Sequence, residues 1–225
     1  MFIGLVVGGK MISDQLRRNN PLKETETNRE VWNGTADYDR KLFEEEKHSS
    51  GDVYLASCFV SGVPKGYEID QVGFVPRIAV VKPVGPKTEE SRYVNFVDIR
   101  FLENHSGLKG EAVLDEKNFD SVRVAVNKFT NDKSIKDYKL YFTKVKLKDR
   151  LAKAIVSESS VNFDAVDYDG TKISQLKFAH VFVTGKNSQI IIYFKLSSDS
   201  NKFDANLAMF KDFLKTFEAG CFAGG

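Results

Sequence analysis

Residues 175–196 read QLKFAHVFVTGKNSQIIIYFKL, and this stretch decides the fold. Two apolar runs flank TGKNS, where Gly185 and Asn187 can take positive φ, so the spacing predicts an antiparallel hairpin. In IIIYF apolar residues fill both phases of the two-residue strand period. That predicts a central strand covered on both faces.

Downstream, FDANLAMFKDFLKTFEAG occupies 203–220. Leu207, Phe210, Leu214 and Phe217 fall at i, i+3, i+7 and i+10, with Asp204 as a cap and Gly220 as a stop, which predicts an amphipathic helix closing the domain on the sheet. Upstream, strands are expected over 138–147 and 151–157. Residues 115–132 carry Phe119, Val122, Val126 and Phe129 at helical spacing and Val122, Val124 and Val126 at strand spacing. Length and an Asp115 cap favour the helix. Further strands are predicted over 53–60, 72–84 and 93–102, with Pro76 at an edge or bulge and a change of phase near Asp98 between Val94, Phe96, Ile99 and Phe101.

The fold class is therefore α+β: an antiparallel β-sheet flanked by helices, preceded by an irregular polar arm. Three segments are expected: an apolar stretch over 1–12, a polar arm over 13–51, and a single α+β domain over 52–225. In the arm, Thr35 or Asp37 can cap a short helix over 35–47 carrying Leu42 and Phe43. Trp32, in the connector before it, is expected to anchor the arm on the domain.

The order of elements resembles a known family. Pro64, Lys65, Gly66 and Tyr67 follow the first strand of the domain. A mid-chain helix, antiparallel strands and the long hairpin come next, and the terminal helix has the cadence F-x2-F-L-x-T-F from Phe210 to Phe217. Together, over about 53–219, these are similar to the PsbP and Mog-like α/β/α sandwich. The resemblance implies a mostly non-catalytic, protein-binding role and assigns no functional residue.

Composition excludes several classes. Lys and Arg number 33 against 31 Asp and Glu, a net charge of +2, so the basic excess of a nucleic-acid binder is missing. The densest basic stretch, KLYFTKVKLKDR at 139–150, reads as a strand with a solvated lysine face rather than an RNA surface. Cys58 and Cys221 are too few for a disulfide framework or a zinc set, and stand as one bridge in an oxidising compartment or two free thiols.

Near-motifs fail on their physical requirements. Gly4, Gly9 and Lys10 imitate a phosphate loop, but its interior is Leu-Val-Val, Met11 replaces the magnesium-binding hydroxyl, and no strand precedes it. LASC at 55–58 lacks the apolar stretch that a lipidation signal needs upstream. Asp167, Asp169 and Gly170 imitate a calcium loop whose first and last positions fall on Ala165 and Leu176, so Asp169-Gly170 reads as a turn. His48, His105 and His180 form no metal pair, and His180, inside FAHVFV, reads as a core or face histidine. No G-x-S-x-G elbow selects a serine. Asn33-Gly-Thr and Asn104-His-Ser fit the glycosylation pattern. No catalytic, cofactor-binding or metal-ligating residue is assigned, and no cofactor.

The expected function is a non-catalytic domain that binds or assembles with another protein, without nucleic acid. The alternatives are an inhibitor or immunity-type protein, or a small-ligand binder or enzyme with a pocket between sheet and helices. The apolar MFIGLVVGG at 1–9 spans ~14 Å as a helix, short of a ~30 Å bilayer core. It reads either as the remnant of a signal or membrane segment or as a short strand or arm packed on a neighbour; the remnant reading favours a periplasmic, lumenal or membrane-attached location over the cytoplasm.

Overall fold

The structure, a computed structural model, describes residues 30–39, 41, 43–44, 61–71, 77–84, 96–103, 106–120, 123, 126, 135–166, 170–185 and 190–218. The strand expected over 53–60, the residues Pro76, Cys58, Cys221, His48 and His105, and the loop at 4–11 lie outside them.

The described strands run β1 (Phe43–Glu44), β2 (Val63–Pro64), β3 (Tyr67–Gln71), β4 (Arg77–Pro83), β5 (Phe96–Glu103), β6 (Ile135–Lys146), β7 (Leu151–Val166), β8 (Lys172–Thr184) and β9 (Ile190–Asp199), followed by the helix α1 (Phe203–Thr216). β1 and β2 form a small pair, and the other seven strands form one sheet in the order β3-β4-β5-β9-β8-β7-β6. Every junction in that sheet is antiparallel. The chain lays down β3 to β5, crosses one face to the far edge, and returns as the meander β6 to β9, which closes on β5. β9 thus lies at the centre, as the two-phase IIIYF run predicts.

Two apolar layers follow from the alternation. On one face Val81, Val97, Ile99, Ala154, Val156, Val181, Ile192 and Phe194 meet Phe210, Phe213 and Leu214 of α1, with Phe203 and Phe217 at its ends. Asp204 in the first turn and Lys215 in the last suit the helix dipole. α1 begins one residue before the expected cap: Lys202 takes the capping position without a side-chain capping hydrogen bond. On the other face Leu102, Leu140, Ile155, Phe182, Ile191 and Tyr193 lie under the crossing segment, through Val113, Leu114, Phe119 and Val126. That segment comprises two 3-10 turns, Gly110–Leu114 and Glu116–Asn118, and a helix that includes Phe119, Asp120, Arg123 and Val126. The fold is therefore sheet-dominated, with one long helix among the described residues.

Three expectations change. Residues 35–39 are turn and irregular chain, while Phe43 and Glu44 pair with Pro64 and Val63 as β1 with β2. An isolated short helix is marginal, and pairing Phe43 into a strand supplies the contacts it would lack. β7 continues to Val166, well beyond the expected 157, because its polar residues hide the period. β5 has no change of phase: Val97 and Ile99 face α1, while Asp98 and Leu102 face the other layer, so a buried acid occupies an apolar phase.

Candidate functional site

Polar chemistry gathers in two regions of the sheet. The first is a belt on the face opposite α1. Register sets Asp98 of β5 opposite Lys195 of β9, Lys195 opposite His180 of β8, and His180 opposite Ser157 of β7. Arg100 and Tyr193, themselves opposite each other, occupy the next row on one side. On the other side Ser197 and Ser159 flank Phe178.

The belt is sealed. Asp98, His180 and Tyr193 are each 2% exposed or less, and Ser157 is fully buried. Arg100 Nε and Nη2 both donate to Asp98 Oδ2, at 2.8 and 2.6 Å. His180 Nδ1 lies 2.8 Å from the Tyr193 hydroxyl, and Tyr193 stacks between His180 and Phe182 with ring centroids at 5.9 and 4.8 Å. Burial, and after it the nearby Lys195 charge, push the His180 pKa down to about 3. Burial, then the Asp98 charge, raises that of Tyr193 well above its usual value, while Arg100 opposes the rise. Both groups are neutral at pH 7, and the hydroxyl donates to Nδ1 when Nε2 carries the ring proton. His180 Nε2 and the Ser157 and Ser159 hydroxyls have no hydrogen-bond partner among the described residues.

His180 and Tyr193 are held away from solvent in this arrangement. What the belt does is specify register, because a one-residue slip would drive Asp98 into the apolar layer under α1. Lys82, 4% exposed, extends the pattern to the edge of the sheet, holding Asp70 at 2.6 Å and Glu68 at 3.3 Å.

The second region is the outer edge of β6. Residues 30–33 lie along its end as a strap: Val31 bridges Lys144 in parallel, and the Trp32 N–H donates to the Lys144 carbonyl at 2.9 Å. Thr143 Oγ1 donates to the Glu30 carbonyl at 2.7 Å. The Asn33 carboxamide then replaces a strand residue, accepting from Lys146 N–H at 2.7 Å and donating to the Lys146 carbonyl at 2.9 Å. It also donates to the Lys211 carbonyl of α1 at 3.1 Å. Gly34, at φ +76°, turns the chain away where a side chain would be strained. Trp32 packs edge-on to Phe210 at 6.2 Å and lies under Lys211 Nζ at 4.6 Å, so it anchors the arm as expected. Asn33 is 4% exposed, so the glycosylation pattern there is closed in the folded chain.

Lys144 beside the strap, and Lys136 and Lys139 before it, are exposed along β6. No carboxylate lies within ion-pair distance of these three among the described residues, whereas Lys148, Lys153 and Lys215 each have one. Beside this edge is a depression of about 90 Å³ lined by Phe119, Leu140 and Phe142, with Glu116, Lys117, Asp120 and Arg123 on its rim.

Of the residues weighed in the sequence, His180 and the lysine strand fall in these regions. Gly170, at φ +81°, stands at the turn between β7 and β8, as the Asp-Gly pair predicts. Among the described residues no group of three or more His, Cys, Asp or Glu is placed to hold a metal. Asp98, Arg100, Tyr193, Ser157 and Lys82 carried no motif. Their one sequence signal is a polar residue on the apolar phase of a strand.

No family model matches the sequence, and no curated protein matches it. Among solved structures the chain is similar to the cyanobacterial PsbP (CyanoP) of Synechocystis sp. PCC 6803, at 10% identity and a TM-score of 0.41 over 73% of this chain and 88% of that one. It is similar also to the Ran-binding protein Mog1p of Saccharomyces cerevisiae, at 8% identity and a TM-score of 0.43 over 75% of this chain and 93% of that one.

Proposed function

We propose that the chain is a non-catalytic domain that binds or assembles with another protein. One observation carries the reading: among the described residues His180, Tyr193 and Ser157 are buried in the sheet, while Lys136, Lys139 and Lys144 of β6 are exposed with no described carboxylate in ion-pair distance. In this reading residues 52–225 are the binding domain, an α/β/α sandwich in which α1 and the crossing segment are the outer layers. The chain is exported or held at a membrane through residues 1–12, supported by the apolar MFIGLVVGG run. Among the described residues no helix is long and apolar enough to cross a membrane.

Crosslinking in intact cells, with the crosslinked peptides mapped, tests the binding reading, and fractionation with protease protection tests the location. A protein partner crosslinked through surface lysines supports the proposal. Turnover of a small molecule that is lost in Ser157→Ala or His180→Phe overturns it, and favours an enzyme with its site in the belt.

A further inference from the structure

We propose that Asn33 is a site of spontaneous modification gated by the strap: its carboxamide becomes a carboxylate when the strap lifts, and the conversion keeps the strap off. The inference goes beyond the protein-binding reading and does not depend on it.

The reactive pair is written in the sequence. Asn33-Gly34 is the only Asn-Gly pair in the chain. The main-chain nitrogen that follows an asparagine can attack the side-chain carbon Cγ, and a glycine leaves that approach open because it has no Cβ. A bond forms between Gly34 N and Asn33 Cγ, the Cγ–Nδ2 bond breaks, and Nδ2 leaves as ammonia with the proton that Gly34 N gives up. Water then opens the cyclic imide at one of its two carbonyls, leaving aspartate or isoaspartate at position 33. The sum is amide plus water giving acid plus ammonia, with no oxidant or reductant.

The docked strap holds both reacting groups. The Gly34 N–H donates to the Val31 carbonyl at 2.9 Å, so the attacking nitrogen is engaged. The carboxamide is fixed by three bonds, from Lys146 N–H at 2.7 Å and to the Lys146 and Lys211 carbonyls at 2.9 and 3.1 Å. Attack needs the Gly34 bond broken and the side chain turned, and turning it undoes the other three. At 4% exposure Asn33 is also shielded from the water that opens the imide. Conversion therefore waits for a local opening of the strap.

The product does not fit the seat it has left. A carboxylate carries no donor, so the Lys146 and Lys211 carbonyls would face negative oxygens at a position shut from water, a larger loss than that of the two hydrogen bonds. Isoaspartate also lengthens the main chain between Trp32 and Gly34, which shifts one against the other along β6. Each opening thus carries some chains past a step that docking cannot reverse.

The test ages the full chain at neutral pH in native buffer and in urea, following conversion at Asn33 by peptide mass mapping and ammonia release. The expected result is fast conversion in urea and slow conversion in native buffer, the ratio of the two rates reading the fraction of time the strap is off. Thr143→Val, which removes the hydroxyl bond to the Glu30 carbonyl, should raise the native rate roughly fivefold and leave the rate in urea unchanged. Gly34→Ala, compared in urea alone, should lose most of that rate. Returned to native buffer, the converted chain should keep its sheet by circular dichroism and show red-shifted emission from Trp32, which in the docked strap packs on Phe210. Asn33→Asp should show the same shift without ageing. Conversion in urea no faster at Asn33 than at the other asparagines overturns the site, and equal rates in the two solvents overturn the gating. Native emission, or loss of the whole sheet, in the converted chain overturns the one-way release.

Discussion

The belt around His180 and the edge of β6 belong to one sheet, yet charge behaves in opposite ways in them. In the belt Arg100 holds Asp98, and Lys82 holds Asp70 and Glu68, at distances of 2.6 to 3.3 Å, and His180 is kept neutral. At the edge three lysines stand in water with no ion partner among the described residues. Burial makes the difference. In the interior an unpaired charge costs several kcal/mol, so charges there must be paired or lost. At the surface a lone lysine costs almost nothing and remains available to a partner. The belt should therefore govern stability and the edge should govern association.

The sharpest way to break this comparison is pH. The folded-state pKa of His180 is about 3 against its ordinary value of 6.5. Between those values the unfolded chain takes up a proton that the folded chain refuses, so stability is full above pH 6.5 and falls as pH drops toward 3. The loss is on the order of 5 kcal/mol at the bottom of the window, at 1.36 kcal/mol per pKa unit. Urea unfolding at pH 7, 5 and 4 should show it, and His180→Phe should remove this contribution. A histidine ring resonance titrating near 6.5 and assigned to His180 would mean that the belt is open to water.

Next in size is Arg100→Ala. It takes the guanidinium from a carboxylate that is 2% exposed, at an expected cost of about 3 kcal/mol at pH 7. Asp98→Asn in the same chain should recover part of that loss, because the pair is coupled. Additive losses in the double variant would show that Asp98 and Arg100 act separately.

The strap joins the two regions, since it lies on the edge but is tied to α1. Asn33→Ala removes three hydrogen bonds, two to Lys146 and one to Lys211. Water can replace those at the edge, so about 2 kcal/mol is expected rather than the full sum. Trp32 is the only tryptophan, so a red shift of its emission in Asn33→Ala would report release of the strap directly. An unchanged spectrum with unchanged stability would show that Trp32 holds the arm without Asn33.

These regions were not equally legible in the sequence. The hairpin of β8 and β9, the central IIIYF strand and α1 are local patterns, and each was read from its own period. Trp32 was legible too, because a single tryptophan in a polar arm has few ways to be satisfied. The belt was not, because Asp98, Ser157, His180 and Tyr193 are brought together only by strand register, which no local window contains. Asp98 even misled, since a polar residue inside an apolar run looks like a break in phase. The strand at 139–146 was legible, but its lysines do not make one solvated face: Lys139 and Lys144 are exposed on opposite phases, Thr143 is buried and Lys146 is half-buried under the strap. Which carboxylates the fold brings near them is a tertiary fact.

The smallest expected effect separates the two regions most cleanly. Lys139→Gln with Lys144→Gln should change unfolding stability by less than about 0.5 kcal/mol, because neither ammonium has a carboxylate to lose among the described residues and both side chains are already exposed. The β-carbon and the first methylenes are retained, so strand pairing with Glu158 and Lys153 of β7 is unaffected. A loss above 1 kcal/mol in urea unfolding would mean that these lysines act within the fold, as Lys82 does, and the division between a stabilising belt and an associating edge would fail. Near-neutral stability combined with loss of crosslinking to a protein partner would place the two functions on separate residues, because a side chain that does not hold the fold together can be changed without unfolding it.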